Sequence, residues 1–392
     1  MLSVLGRARK SLGRVVVALA AVALAACQPV AGPSSGGPSI DTKAAIPVAL
    51  LVPAGSGQAS DELLARSLQN AARLAITDLG SVKIDLRVYN TAGQPAQAQA
   101  MAIKAIEEGA KIILGPVFAQ EANAAGVAAA SRGVNLLAFS NNPDIAGGNV
   151  FILGPTFDNT AARLASFAVR QGKRRIMIVH DQNTAGLLGR TAIERGVSGA
   201  GGSVVAVGSY EFSQNGVVEA APRIADAARA NSADALFLTA DTAGALPLIS
   251  QMLADNGMGP AATQFIGLTR WDIPQATLAL PGVQGGWFAM PDPALFAQYQ
   301  ARYQAAFGEA PHPISGLAYD GIAAIGALVK QGKSNALSGS ALTQGAGFVG
   351  VNGIFRLRSD GQNERGLAVA QIRNNQVVIV DPAPRSFGGA GF

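Results

Sequence analysis

The sequence predicts an α/β protein organised as two doubly wound lobes, and three observations carry that prediction. From Ile46 onward, short apolar runs alternate with stretches of helical period. The same alternation starts afresh after Phe151-Ile152-Leu153-Gly154-Pro155-Thr156. Beyond Gly353 it gives way to short strands separated by turn residues. An alternating order of strands and helices is the pattern of a parallel sheet covered on both faces.

Ile46–Val52 (IPVALLV) is a nearly continuous apolar run, as a strand covered on both faces requires. Ser60 fits a helix N-cap, and Leu64, Leu68, Ala71, Ala72 and Ala75 recur at helical spacing behind it. A strand over Lys83–Tyr89 precedes a helix opened by Pro95 and closed by Gly109. Lys111–Gly115 and Val134–Phe139 read as strands on either side of a helix from Gln120 to Arg132. The second series places strands near Arg175–His180, Ser203–Val207, Ala235–Thr239 and Gln264–Leu268, each followed by a helical stretch. Gly353–Leu357, Gly366–Ile372 and Gln376–Val380, around the turns Ser359-Asp360-Gly361 and Asn374-Asn375, are expected to form a terminal antiparallel meander.

The N-terminus is of another kind. Arg7, Arg9, Lys10 and Arg14 form a basic stretch without an acid, followed by an apolar run from Val15 to Ala26 too short to span a bilayer stably. The run ends in Leu24-Ala25-Ala26-Cys27, which resembles a bacterial lipobox. Residues 1–26 are therefore expected to be a removable signal, and Cys27, the only cysteine, to carry the lipid. The other reading is an ordinary secretory signal with a coincidental cysteine. Residues 27–44, rich in Pro, Gly and Ser, are expected to be a flexible tether. The four basic residues of the signal account for four of the formal +5 charges, so the mature chain carries about +1 and shows no basic surface for nucleic acid.

Beyond this grammar, the order of motifs resembles the type I periplasmic binding fold, specifically the leucine/isoleucine/valine-binding-protein-like superfamily, over nearly all of Ile46 to Val380. The matching segments are IPVALLVPAGSG, KIILGPVFAQEANA, VNLLAFSNNPDI, MIVHDQNTAG, PISGLAYDGIAAIGALV and the terminal GVNGIFRLRSDGQNERGLAVAQIRNNQVVIV. The resemblance implies two lobes joined by three hinge crossings, near Pro155, near Met290 to Pro293 and near Gly345 to Gly347. It assigns residues 45–155 and 291–345 to one lobe, 156–290 and 346–381 to the other, and 382–392 to a tail. Ligand is expected between the lobes, at strand C-terminal ends and helix N-termini.

In relatives that bind amino acids, hydroxyl side chains after the third and fourth strands hold the carboxylate. Here the first of those loops, Gly115 to Gln120, has no hydroxyl, leaving Phe118 and Ala119 at the helix start as candidates; the second offers Ser140 and Asn141, which could equally cap the next turn. In the second lobe, Asn183 belongs to a segment where relatives often carry a Tyr-Gly pair, and Ala185 replaces the aromatic. Asp241 follows a strand and is either a cleft acid or an N-cap. Where relatives place an acid for the ligand's ammonium, this chain has Leu268-Thr269-Arg270-Trp271-Asp272. Arg270 and Trp271 suit a carboxylate or a polar planar group, unless the arginine forms an interdomain ion pair.

Catalysis is not expected. His180 and His312 are the only histidines and have no cysteine partner; Gly345 to Gly350 fits G-x-G-x-x-G but precedes strands; Gly326 to Ser334 has the wrong spacing for a P-loop. No metal or cofactor is expected. The resulting expectation is a lipid-anchored envelope protein on the periplasmic side, at the outer membrane rather than the inner, that captures a small polar, amino-acid-like metabolite for an ABC permease. The alternative is a regulatory lipoprotein that activates a penicillin-binding protein in peptidoglycan synthesis, since such activators carry the same two-lobe module.

Overall fold

The structure is a computed structural model describing residues 36–259 and 262–388. The signal, Cys27 and the first part of the tether lie outside the described residues.

Strand β1 (Ile46–Val52), helix α1 (Ala59–Asp78), β2 (Ile84–Asn90), α2 (Pro95–Glu107), β3 (Ile112–Leu114), α3 (Ala119–Ala130), β4 (Asn135–Ala138) and β5 (Val150–Ile152) build the first lobe. The strands form a wholly parallel sheet of order β2-β1-β3-β4-β5. Side chains alternate across a strand, so β1 divides its burial between two cores. Val48, Leu50 and Val52 pack with Leu68 and Ala72 of α1 on one face. Ala49 and Leu51 pack with Ala102 and Ala105 of α2 and with Ala122 and Ala125 of α3 on the other. The first helix starts one residue before Ser60 and is capped at Gln58 without a side-chain bond, which corrects the expected N-cap.

The second lobe repeats the plan with α4 (Phe157–Arg170), β6 (Arg175–Asp181), α5 (Thr184–Gly199), β7 (Ser203–Tyr210), α6 (Gln214–Ala230), β8 (Ala235–Leu238), α7 (Leu246–Leu253), β9 (Gln264–Gly267) and β10 (Trp287–Met290). Its sheet runs β10-β9-β8-β6-β7, with two further strands from the chain end beyond β10. Met177, Val179, Leu236 and Leu238 face a core with α6 and α7, whereas Ile176, Ile178, Ala235 and Phe237 face one with α4 and α5. The chain then returns to the first lobe through α8 (Pro293–Phe307) and α9 (Gly316–Val329), whose Tyr299, Tyr303, Ile322 and Ile325 complete the α1 core.

The chain end departs from the expected meander. β11 (Phe348–Gly350), β12 (Gly353–Leu357) and β13 (Asn363–Arg365) form a separate three-stranded antiparallel sheet. Phe348, Val351, Phe355 and Leu357 are buried in the first lobe's core, so β11 and β12 pack there, while β13 also meets α4 of the second lobe at Asn363. Only β14 (Ala368–Arg373) and β15 (Gln376–Asp381) join the second sheet, β14 antiparallel to β10 and β15 antiparallel to β14. The third crossing accordingly falls at residues 366–367, not at Gly345 to Gly347. The tether expectation also shortens: Ile40 is buried in the first core, and its amide donates to the Ser334 carbonyl at 2.9 Å.

Near Pro155 and near Met290 to Pro293 the chain enters a helix whose first turn is fixed by a side-chain cap. Thr156 and Asn159 form a reciprocal capping box at the start of α4. Asp292 accepts from the amides of Ala294 and Leu295, with Pro293 in the first turn of α8. Side chains tie the crossings together. Asn363 donates to the carbonyls of Ile152 and Gly154, and Asn159 donates to the Asn363 carbonyl. Arg365 donates from Nε to the Leu153 carbonyl at 2.9 Å and pairs with the fully buried Asp320 of α9 at 3.3 Å. Asp320 also accepts from the Val351 amide and from Asn352.

Candidate functional site

The residues selected from the sequence all lie at the C-terminal ends of strands or on the loops that follow, where open parallel sheets bind ligands. Local bonds occupy several of them. The Ser140 hydroxyl is buried and accepts from the Asn142 amide at 3.1 Å, the turn-capping role. Asn183 caps α5 through the Gly186 amide and donates to Asp181. The Asp241 carboxylate accepts from the Gly244 amide, so it too closes a turn. Phe118 precedes α3 and is 37 % exposed, Ala119 opens that helix, and Asn141 is exposed.

Trp271 is corrected more sharply. It is fully buried in the second lobe's α6–α7 core, and its ring packs so tightly over Gly267 and Gly286 that a Cβ at either position would lie within 2.3 Å of it. An apolar core claims the indole even though its Nε1 has no hydrogen-bond partner there. For Arg270 the interdomain ion pair is not formed among the described residues; instead its Nε and Nη2 grip the two carboxylate oxygens of Asp272, on the same loop.

Next to that loop a cavity of about 260 Å³ opens between the lobes, and among the eight ligand candidates only Arg270 lines it. The second lobe contributes Leu268, Thr269, Ile273 and Met290, the first lobe Ile314 and Leu317 of the α9 segment, and the crossings Thr156 and Arg365. The lining is mostly apolar and includes no carboxylate. Residues such as Leu268, Ile314 and Leu317 gave no sign of a cleft role in the sequence, because an apolar cleft residue has the same pattern as a core residue. Thr269 stood out only as the place of a missing acid.

A larger groove of about 730 Å³ lies beside α4, α5 and the β12–β13 hairpin. Its charges neutralise one another: Arg195 pairs with Asp158, and Arg356 and Arg358 pair with Glu364. It is a surface of ion pairs rather than a recognition site. Elsewhere, Glu121 in the first turn of α3 is 1 % exposed, and among the described residues neither carboxylate oxygen has a hydrogen-bond partner. Burial raises its pKa above the usual carboxylate value, offset only in part by the Thr91 hydroxyl and the Phe118 backbone, and the Asp61 charge adds to the rise.

Comparison with known proteins decides what kind of molecule carries this cleft. A family model described as a periplasmic binding protein matches residues 45–376. The chain belongs to the periplasmic binding protein family. No curated protein matches it. Among solved structures, the chain is similar to a Rhodospirillum rubrum protein described as a branched-chain amino acid ABC transporter. That match has 18% identity and a TM-score of 0.72, covering 86% of this chain and 100% of the other. A Desulfitobacterium hafniense ABC transporter substrate-binding protein in complex with Leu matches at 17% identity and a TM-score of 0.64, over 86% and 100% of the two chains. A Rhodopseudomonas palustris solute-binding protein in complex with 3,4-dihydroxy benzoic acid matches at 18% and 0.59, over 86% and 96%. These likenesses establish the type I fold of this periplasmic binding protein. Its family consists of solute-binding proteins, not enzymes. Among the described residues, no helix is long and apolar enough to cross a membrane.

Proposed function

We propose that this periplasmic binding protein is the substrate-binding component of an ABC importer, held on the periplasmic side of the envelope by lipid on Cys27 and delivering a small metabolite to a permease. The observation that supports this reading most directly is the cavity beside Arg270, walled by both lobes and bounded by residues at all three crossings. A ligand seated there touches both lobes at once, so it favours the closed arrangement by its differential contacts. The solved relatives include proteins in complex with leucine and with 3,4-dihydroxy benzoic acid, both small carboxylates. The lipobox-like Leu24 to Cys27 supports the anchor.

Thermal unfolding of the full chain in detergent, across a panel of amino acids, organic acids, sugars and polyamines, tests the proposal. A ligand that binds only the folded state stabilises it by RT ln(1 + [L]/Kd), about 2.7 kcal/mol at a hundredfold excess over Kd. A concentration-dependent rise in Tm with at least one compound is expected. If none shifts Tm, while the protein co-purifies with a cell-wall synthase, the regulatory lipoprotein reading replaces transport.

A further inference from the structure

We infer that the ligand of this cleft is a small monocarboxylate with an apolar body and no ammonium group. The inference rests on the reading of the cleft as a solute site and goes on to fix the chemistry of the solute.

The cavity contains two charged side chains, both guanidinium groups, and they are not equivalent. Arg365 is committed: Nε and Nη2 donate to the Leu153 carbonyl, and Nη1 faces Asp320. Arg270 is clamped by Asp272 through Nε and Nη2, which leaves Nη1 without a partner among the described residues. A guanidinium held on one edge presents the rest of its donors in a fixed direction. It is a preorganised partner for a carboxylate oxygen.

The rest of the lining excludes a second charge on the ligand. No aspartate or glutamate lines the cavity, and both oxygens of the nearest acid, Asp272, are already taken by Arg270. An ammonium placed here would lose its water, face an arginine and find no carboxylate. Thr269 and Thr160 supply hydroxyl groups, but hydroxyls do not neutralise a cation. The remaining surface, formed by Phe157, Leu268, Ile273, Met290, Ile314 and Leu317, rewards an apolar body. A volume of about 260 Å³ equals that of about nine water molecules at about 30 Å³ each, enough for a branched or ring-bearing acid of similar size.

Three probes of one shape isolate the two claims: 4-methylpentanoate, L-leucine and 4-methylpentanamide share a carbon skeleton and differ in the ammonium and the carboxylate. Isothermal titration of the full chain in detergent is expected to show 4-methylpentanoate binding at least thirtyfold tighter than either of the others. Arg270→Gln is expected to weaken the acid at least tenfold and leave the amide unchanged, a contrast that misfolding would not produce. Thr269→Glu is expected to shift the preference at least tenfold toward leucine. Leucine binding as tightly as the acid, or Arg270→Gln leaving the acid unchanged, overturns the inference while solute capture stands. If none of the three binds, the broader thermal panel decides: a ligand of another class overturns this inference alone, and an empty panel overturns it together with the transport reading.

Discussion

Arg365 and Arg270 line the same cavity, yet the chain uses them in opposite ways. The Arg365 side chain is 3 % exposed and Asp320, its partner, is 0 % exposed, so both charges have lost their water and depend on each other and on backbone groups. The Arg270 side chain is 31 % exposed, and Asp272 binds only one edge of it. The first arginine fastens β13 to the Leu153 crossing and to α9; the second keeps a donor in reserve. The difference shows that a charge in a cleft is functional to the extent that its bonds are not already required by the fold.

The largest effect expected from breaking this contrast comes at Arg365. Removing one partner of a buried pair strands the other, at a cost of about 3–5 kcal/mol. Asp320→Ala and Arg365→Met are each expected to lower the urea midpoint accordingly, and Asp320→Leu combined with Arg365→Met to recover most of the loss. A cost below about 1 kcal/mol for either single variant, the range of exposed pairs, would show that Arg365 is no more committed than Arg270.

Glu121 sharpens the same point from the other side, as a buried charge without a hydrogen-bond partner among the described residues. Burial raises its folded pKa above the ordinary value of 4.5, so the folded state binds the proton more tightly than the unfolded chain does. Its favourable contribution is therefore complete below the unfolded value and is lost as pH rises from there through the raised folded value. Glu121→Gln is expected to be more stable than the parent at pH 7, where the parent bears the cost of a buried charge or of holding a proton, and about equal to it near pH 4. Denaturant unfolding at both pH values measures this. A variant less stable at pH 7 would show that the Thr91 hydroxyl and the Phe118 backbone satisfy the carboxylate after all.

Arg270 should change stability least among the charged sites. Its pair is solvent-accessible and local to one loop, so Arg270→Gln is expected to move the unfolding free energy by less than about 1 kcal/mol while reducing ligand affinity. Equal losses of stability and affinity would place Arg270 with Arg365 among the residues that hold the fold.

The same contrast explains what could be seen in the sequence. The strands of both lobes were legible because burial on both faces forces continuous apolar runs, as in Ile46–Val52 and Ala235–Leu238. The helix starts at Pro155-Thr156 and Asp292-Pro293 were legible because both carry helix-start chemistry. The third crossing was misplaced because β11 and β12 look, in sequence, like partners of the strands that follow them. It is the side chains of Phe348 and Phe355, packed into the first core, and the Asp320 bond to the Val351 amide that bind them elsewhere. At the site, position at a strand end was readable for Asn183, Asp241 and Arg270, but whether each polar atom was already spent was not. The Trp271 indole disappears into the core because Gly267 and Gly286 make room for it, a relation set by the packing of strand ends and not by any local sequence pattern.

Cys27 is the extreme case of a side chain held for function, with the smallest expected effect on folding. It lies outside the described residues, and the folded part begins its packing at Ile40. Cys27→Ser is therefore expected to leave the unfolding transition of the domain unchanged and to abolish incorporation of radiolabelled fatty acid, releasing the protein from membranes into the soluble periplasmic fraction. Label retained by the variant would overturn the lipobox assignment and leave residues 1–26 an ordinary secretory signal. A shifted transition would show instead that the tether packs on the domain beyond Ile40, placing this segment beside Arg365 among the parts committed to the fold.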